Sequence, residues 1–245
     1  MISFFRKIRQ RLLTDNKVSK YLLYAIGEII LVVAGILIAL QVNNWNEQRK
    51  SENEAKRILS ELHSEFNDNR KVLSQRIKDL EIANENVRLI LAAVNERELN
   101  GTQNIDSIIS RSLKYGNYNP ANSTILELIN SGILNLISDG ILKQKIYQWI
   151  QLLEDTDEDF KNQDQQATTT LIPYLTRNIS IKNLNYYNNM GVTEESKLFD
   201  KKYSNIFTDL EFENLYQSKL FWNTIMLQHY RELDSLAVEI LIITD

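Results

Sequence analysis

The strongest pattern in the chain is an unbroken apolar run, "YLLYAIGEIILVVAGILIALQV" (residues 21–42), interrupted by a single charged side chain, Glu28. At about 1.5 Å of rise per residue this run makes a helix of about 33 Å, which matches a hydrocarbon core of about 30 Å with slight tilt. Tyr21 and Tyr24 stand at one end and Trp45 at the other, where amphipathic rings prefer the two membrane interfaces. The following "ALQVNNWNE" offers no small-x-small cleavage site, so the run reads as an uncleaved signal anchor rather than a removable signal peptide.

Ahead of it, Ile2, Phe4, Phe5, Ile8, Leu12 and Leu13 fall on one helical stripe, with Arg6, Lys7, Arg9 and Arg11 largely off it. That is the pattern of a basic helix lying on anionic lipid, and these four cations are the candidate lipid contacts. Six Lys and Arg lie in the 20 residues before the span and four (Arg49, Lys50, Lys56, Arg57) in a similar length after it, which places the N-terminus in the cytoplasm and exports the remainder. An anchor in this orientation leaves the body outside the cytoplasm.

Beyond Asn46, apolar residues recur in steps of three and four from Ala55 through Ile58, Leu62, Phe66, Leu73, Leu80, Val87 and Ile90 to Val94. The spacing predicts one helix from 47 to about 98, able to run on from the span and closed by Asn100-Gly101. Asp106–Tyr115 is expected to be a short helix, followed by a turn at "YGNYNP". Thr124 and Glu127 form a capping box that opens another short helix, ending at Gly132. A longer helix is expected from Asp139 to about Asp164, and Pro173 marks a break. Residues 183–206 read as loop-rich. A second capping box, Thr208 with Glu211, opens a last helix to about Ile243, with an apolar stripe of Leu215, Leu220, Ile225, Leu227, Leu233, Leu236, Ile240 and Leu241. Short connections between long amphipathic helices favour antiparallel packing. The fold class is therefore all-α: an N-terminal single transmembrane helix followed by an elongated helical bundle. Residues 1–20 are the basic cytoplasmic segment, 21–43 the transmembrane anchor and 44–245 the exported domain.

Composition supports this reading and narrows the chemistry. Two prolines and seven glycines in 245 residues leave long stretches without breakers. The net charge of −4 combines a basic head with an acidic body, which disfavours nucleic acid as a partner. The absence of cysteine excludes disulfides, thiol catalysis and thiolate metal sites. His63 and His229 both fall on long helices, yet neither lies in a Glu-x-x-His motif of the kind a dinuclear carboxylate bundle uses. No phosphate loop or serine nucleophile elbow occurs. The acidic run Glu154–Phe160 lacks the glycine and ligand order of a calcium loop, and reads as a solvated helix face. The expectation is a protein that is not an enzyme and that takes no cofactor and no metal.

Within the span, Ala25, Glu28, Val32, Gly35 and Ala39 share one side of the helical wheel. Gly35 and Ala39 form a small-xxx-small pair that lets two helix backbones approach in lipid. Glu28 on that side has three readings: it reaches the headgroups or is protonated, it bonds across an oligomer interface, or it lines an ion path. Glu28, Gly35 and Ala39 are thus the candidate interface or ion-path residues.

The front of the chain, "FFRKIRQRLL" followed by "KYLLYAIGEIILVVAGILIALQVNNWNE", resembles an abundant group of uncharacterised membrane proteins from Bacteroidota. Gly27, Glu28, Gly35, Gln41, Asn43, Asn44, Trp45 and Asn46 hold that group's characteristic positions, and "ELINSGILNLISDGILKQKIYQWI" is loosely similar to a later segment of it. The resemblance implies a bacterial cell-envelope location and implies no activity. Together these features lead to the expectation of a membrane-anchored interaction, sensor or assembly module, contacting lipid, forming a homo-oligomer through the span and meeting an envelope protein partner. The alternative is an oligomeric channel or ion-coupled component that uses Glu28.

Overall fold

The computed structural model describes residues 18–97, 104–135, 140–200 and 203–245. The basic segment carrying Arg6, Lys7, Arg9 and Arg11 lies outside the described residues. Among the described residues every regular element is a helix or a helical turn, and none is a strand.

The first helix, α1, runs Val18–Glu96. It contains no proline, and its polar stretches carry side-chain pairs at helical spacing, such as Lys50 with Glu47 at 3.1 Å and Lys71 with Asp68 at 2.7 Å. It stops where Arg97 turns into the left-handed region at φ 58°. The expected termination near Asn100-Gly101 thus comes a few residues earlier. The chain divides into two compact units between Arg57 and Ile58.

The first unit contains the apolar run. Leu22, Leu23, Ile26, Ile29, Leu31, Ile36, Leu37, Ile38, Leu40 and Val42 are all exposed. The most apolar 18-residue window has a mean hydropathy of 2.5, with 0% of it buried within the protein. A core helix of a soluble domain would bury such a face; this one leaves it bare all round. It is long and apolar enough to cross a membrane.

In the second unit α1 is joined by α2 (Ile105–Ser112), α3 (Ser123–Asn130), α4 (Gly140–Gln166), α5 (Ile172–Asn178), α6 (Ile181–Tyr187) and α7 (Leu210–Thr244). The part of α1 from Ile58, with α4 and α7, forms a three-helix bundle. Phe66 meets Trp149 with ring centroids 4.8 Å apart, so α1 and α4 pack against each other. The last helix is antiparallel to both. Its Asp234 takes Arg70 of α1 at 2.8 Å while its Thr244 lies against His63. On the other side its Glu239 pairs with Lys145 and its His229 with Asp159 of α4. At one end α2, α5, α6 and the helical turn Ile206–Thr208 close over the bundle, so that Ile108, Leu175, Leu184, Ile206 and Phe207 share one core with Val87, Ile90, Phe212 and Tyr216.

Several local expectations are corrected by tertiary contacts. The first turn of α3 is not held by a Thr124–Glu127 box. Its cap residue is Asn122, without a side-chain cap bond, and the N–H of Thr124 is received at 3.1 Å by Glu65, a residue of α1. At α7 the cap is Asp209 rather than Thr208, accepting from the Glu211 N–H at 2.9 Å. Pro173 does not break the chain. The turn before it, Ala167–Leu171, widens into π-helix and flows into α5, where the proline sits in the first turn and its missing N–H costs little. The hydroxyls of Thr168, Thr169 and Thr170 bond back to carbonyls one turn earlier. Part of the stretch expected to be loop, Ile181–Tyr187, is helical.

Candidate functional site

Glu28, Gly35 and Ala39 all lie on α1 within the first unit; Gly35 and Ala39 are exposed and Glu28 is half-buried. Seven and four residues separate them in turn, so they repeat along one side of the helix. A Cβ added at Gly35 or Gly27 would meet nothing within 4 Å. The glycine side is therefore free to receive another backbone, the geometry small residues supply between helices in lipid. At the end of the apolar run the Arg49 guanidinium stands 5.6 Å from the Trp45 ring centroid, a cation over an aromatic ring.

The second unit holds polar groups that the sequence pattern did not single out. Buried positions on α7 follow Phe212, Tyr216, Lys219, Asn223, Met226, Tyr230, Leu233, Ala237 and Ile240. The steps alternate four and three, the seam of a coiled coil, and a lysine and an asparagine occupy two of its core positions. Of the stripe expected from the sequence, Leu233, Ile240 and Leu241 are buried, whereas Leu215, Leu220, Ile225, Leu227 and Leu236 are only half-buried. The alternating steps were present in the sequence; choosing aliphatic residues over tyrosine, lysine and asparagine hid them.

Lys219 is 3% exposed. Its ammonium lies 5.0 Å from the Tyr115 ring centroid. Burial pulls its pKa down to about 8, because the charged form loses its water without gaining a carboxylate. One turn on, Asn223 accepts at 2.7 Å from the Gln163 amide of α4 through Oδ1, and its own Nδ2 has no partner among the described residues. The Tyr115 hydroxyl donates to Asp164 at 2.8 Å; burial first, and then that carboxylate, push it up to about 12.

A second cluster closes the far end of the bundle. Asp106, fully buried in the first turn of α2, accepts from the Tyr203 hydroxyl at 2.5 Å and from the Asn183 amide at 2.9 Å. Burial, then the bond to Asp106, raises the Tyr203 phenol. Asn183 also receives the Ser196 N–H at 2.7 Å. Beside it, Asn104 donates to the Tyr187 hydroxyl, which donates onward to Glu195 at 2.7 Å and is pushed up to about 12 chiefly by that bond. These bonds tie the segment after α6 down onto α2.

The two histidines serve separate contacts. His63 Nδ1 lies 3.1 Å from Thr244 Oγ1, whose hydroxyl is also 2.9 Å from the Ile240 carbonyl. His229 Nε2 meets Asp159 at 2.8 Å. Fifteen residues of α7 separate Thr244 from His229, about 22 Å along the axis, so the histidines do not converge. Among the described residues no group of three or more His, Asp or Glu side chains is arranged to hold a metal ion. An open groove runs between α4 and α7, lined by Leu152, Thr224, Leu227, Gln228, Arg231 and Leu236.

Residues 28–145 match the profile of a family of unknown function (DUF6090). The matched stretch begins at Glu28, includes the rest of α1 with α2 and α3, and ends in the second turn of α4. Helices α5 to α7, with Lys219 and Asn223, fall beyond the DUF6090 match. No curated protein and no solved structure matches the chain.

Proposed function

We propose that this chain is a membrane-anchored helical module of the bacterial cell envelope, acting by interaction as a sensor or assembly subunit rather than by catalysis. The observation that supports it most is the bare apolar run of α1, whose most apolar window has a mean hydropathy of 2.5 and no burial within the protein. Leaving so many Leu, Ile and Val side chains in water would cost about 1.5–3 kcal/mol each relative to burial; insertion in lipid removes that cost. In this reading the run is an uncleaved signal anchor in the inner membrane. The basic residues Arg6, Lys7, Arg9 and Arg11 stay on the cytoplasmic side, near anionic lipid, and the body is periplasmic. The side of α1 carrying Gly35, Ala39 and Glu28 is the surface for a second copy.

Membrane fractionation of the full chain, with alkaline carbonate washing and protease accessibility in spheroplasts, tests this. The expected result is a pellet-resident protein whose body is cut only from outside the cytoplasmic membrane. Release by carbonate would overturn the anchor, and protection from external protease would overturn the orientation. Cross-linking in the membrane is expected to give an oligomer that a bulky Gly35→Leu change disperses.

The carboxylate inside the apolar run favours a second reading, an oligomeric channel or ion-coupled component in which Glu28 lines the path. Glu28→Gln separates the two: loss of ion flux with the oligomer intact indicates the channel, and loss of the oligomer indicates packing.

A further inference from the structure

We infer that the α4–α7 seam holds a small inorganic anion, chloride by its chemistry, between the Lys219 ammonium and the Asn223 side-chain amide. Two donors carry the argument. Lys219 is 3% exposed and Asn223 0% exposed, and they are one turn apart on the buried side of the same helix, with Cβ atoms about 5–6 Å apart. Neither donor is matched. Lys219 makes no ion pair or hydrogen bond among the described residues and faces only the Tyr115 ring, while Asn223 Nδ2 has no acceptor. At the other edge of that amide Gln163 donates to Oδ1. Asp164, on the same helix as Gln163, is engaged by the Tyr115 hydroxyl and does not pair with Lys219. Buried charges in proteins are paired, and an isolated buried ammonium is expensive.

The missing counterpart must accept hydrogen bonds and carry negative charge. It must also be compact, because the flanking positions of the same buried seam are filled by Tyr216 and Met226. A monoatomic halide meets these requirements; a cation or a donor-only group does not. A polar residue at a core position also sets helix register. Register alone, however, leaves the two donors unanswered.

The test uses the full chain in detergent micelles, with thermal unfolding followed by circular dichroism. Sodium chloride is compared with sodium gluconate at equal ionic strength, so that screening is constant. Chloride is expected to raise the melting temperature by about 3 °C for each tenfold increase above its dissociation constant. Lys219→Met is expected to fold and to melt at the same temperature in both salts, as is Asn223→Leu to a lesser degree. Identical melting of the unaltered protein in chloride and gluconate overturns the inference without recourse to any variant. A chloride response that survives Lys219→Met also overturns it. Bromide soaked into crystals is expected to give an anomalous peak between the two side chains. A water there, or an Asn223 amide turned so that Oδ1 accepts from Lys219, would replace the anion.

Discussion

One carboxylate oxygen of Glu65 receives the Ser123 hydroxyl at 2.7 Å, the Thr124 hydroxyl at 3.0 Å and the Thr124 backbone N–H at 3.1 Å. A residue of α1 therefore does for α3 what a capping side chain normally does from within the helix, answering orphan donors at the positive end of the helix dipole. Glu65→Ala is expected to cost about 2 kcal/mol, the loss of hydrogen bonds to a charged acceptor. Urea unfolding gives the total, and faster amide exchange confined to α3 locates it. An unchanged exchange rate at Leu126 and Glu127 would show that α3 does not depend on Glu65.

Alkaline titration isolates Lys219. Its folded pKa of about 8 lies below the 10.5 of the unfolded chain. Between those values the unfolded state holds the proton that the folded state has released, so stability rises as pH climbs from about 8 to about 9. Above about 9 the sign reverses, because Tyr115, Tyr118, Tyr174, Tyr187, Tyr203, Tyr216 and Tyr230 are all held above their ordinary value and the unfolded phenols ionise first. In chloride-free buffer, unfolding free energy should therefore pass through a maximum at about pH 9. Lys219→Met should remove the rising limb and add on the order of 3 kcal/mol at pH 7, since each tenfold change in proton affinity is worth about 1.4 kcal/mol. A flat or falling profile from about pH 8 to about pH 9 in the unaltered protein would contradict the buried ammonium.

The bond from Tyr203 to Asp106 fastens the segment after α6 to α2. Tyr203→Phe keeps the ring and leaves a buried carboxylate short of one donor, an expected loss of about 2–3 kcal/mol. Limited proteolysis should then cut between Asn188 and Asp200 faster than in the unaltered protein. Equal cutting rates would mean the segment is held by its apolar contacts, Phe199 and Tyr203 packing at 5.5 Å, rather than by the carboxylate.

Phe66 and Phe221 offer a direct contrast. Phe66 is fully buried against Trp149, whereas Phe221 is 59% exposed on α7. Phe66→Ala is expected to cost about 3–5 kcal/mol through lost burial and a residual cavity. Phe221→Ala should stay within about 0.5 kcal/mol. Chemical denaturation measures both, and similar losses at the two sites would require the exposed face of α7 to be covered in solution.

The helical class was legible in the sequence because helix formation follows local periodicity. Steps of three and four through Ile58, Leu62, Phe66 and Leu73 place those residues on one side whatever packs there, and all four are buried. Gly132 at φ 73° behaves likewise: only a residue without a Cβ takes that conformation cheaply, so the end of α3 could be placed from the letter alone. The apolar run of α1 needed no neighbour either, since its hydropathy is a property of consecutive residues.

Everything that depends on a distant partner was decided by tertiary structure. Glu65 reaches Thr124 across fifty-nine residues of chain, and no local motif records that meeting, whereas the Thr124–Glu127 spacing advertised a local box. The break expected at Pro173 vanished for a related reason: a π-turn precedes it, and the proline falls in the first turn of α5, where no N–H is needed, between the buried Leu171 and Leu175. Lys219 and Asn223 were hidden most deeply. Burial of a polar side chain depends on the helices around it, and a single helix's sequence names its own side of that contact but not the surface that will close over it.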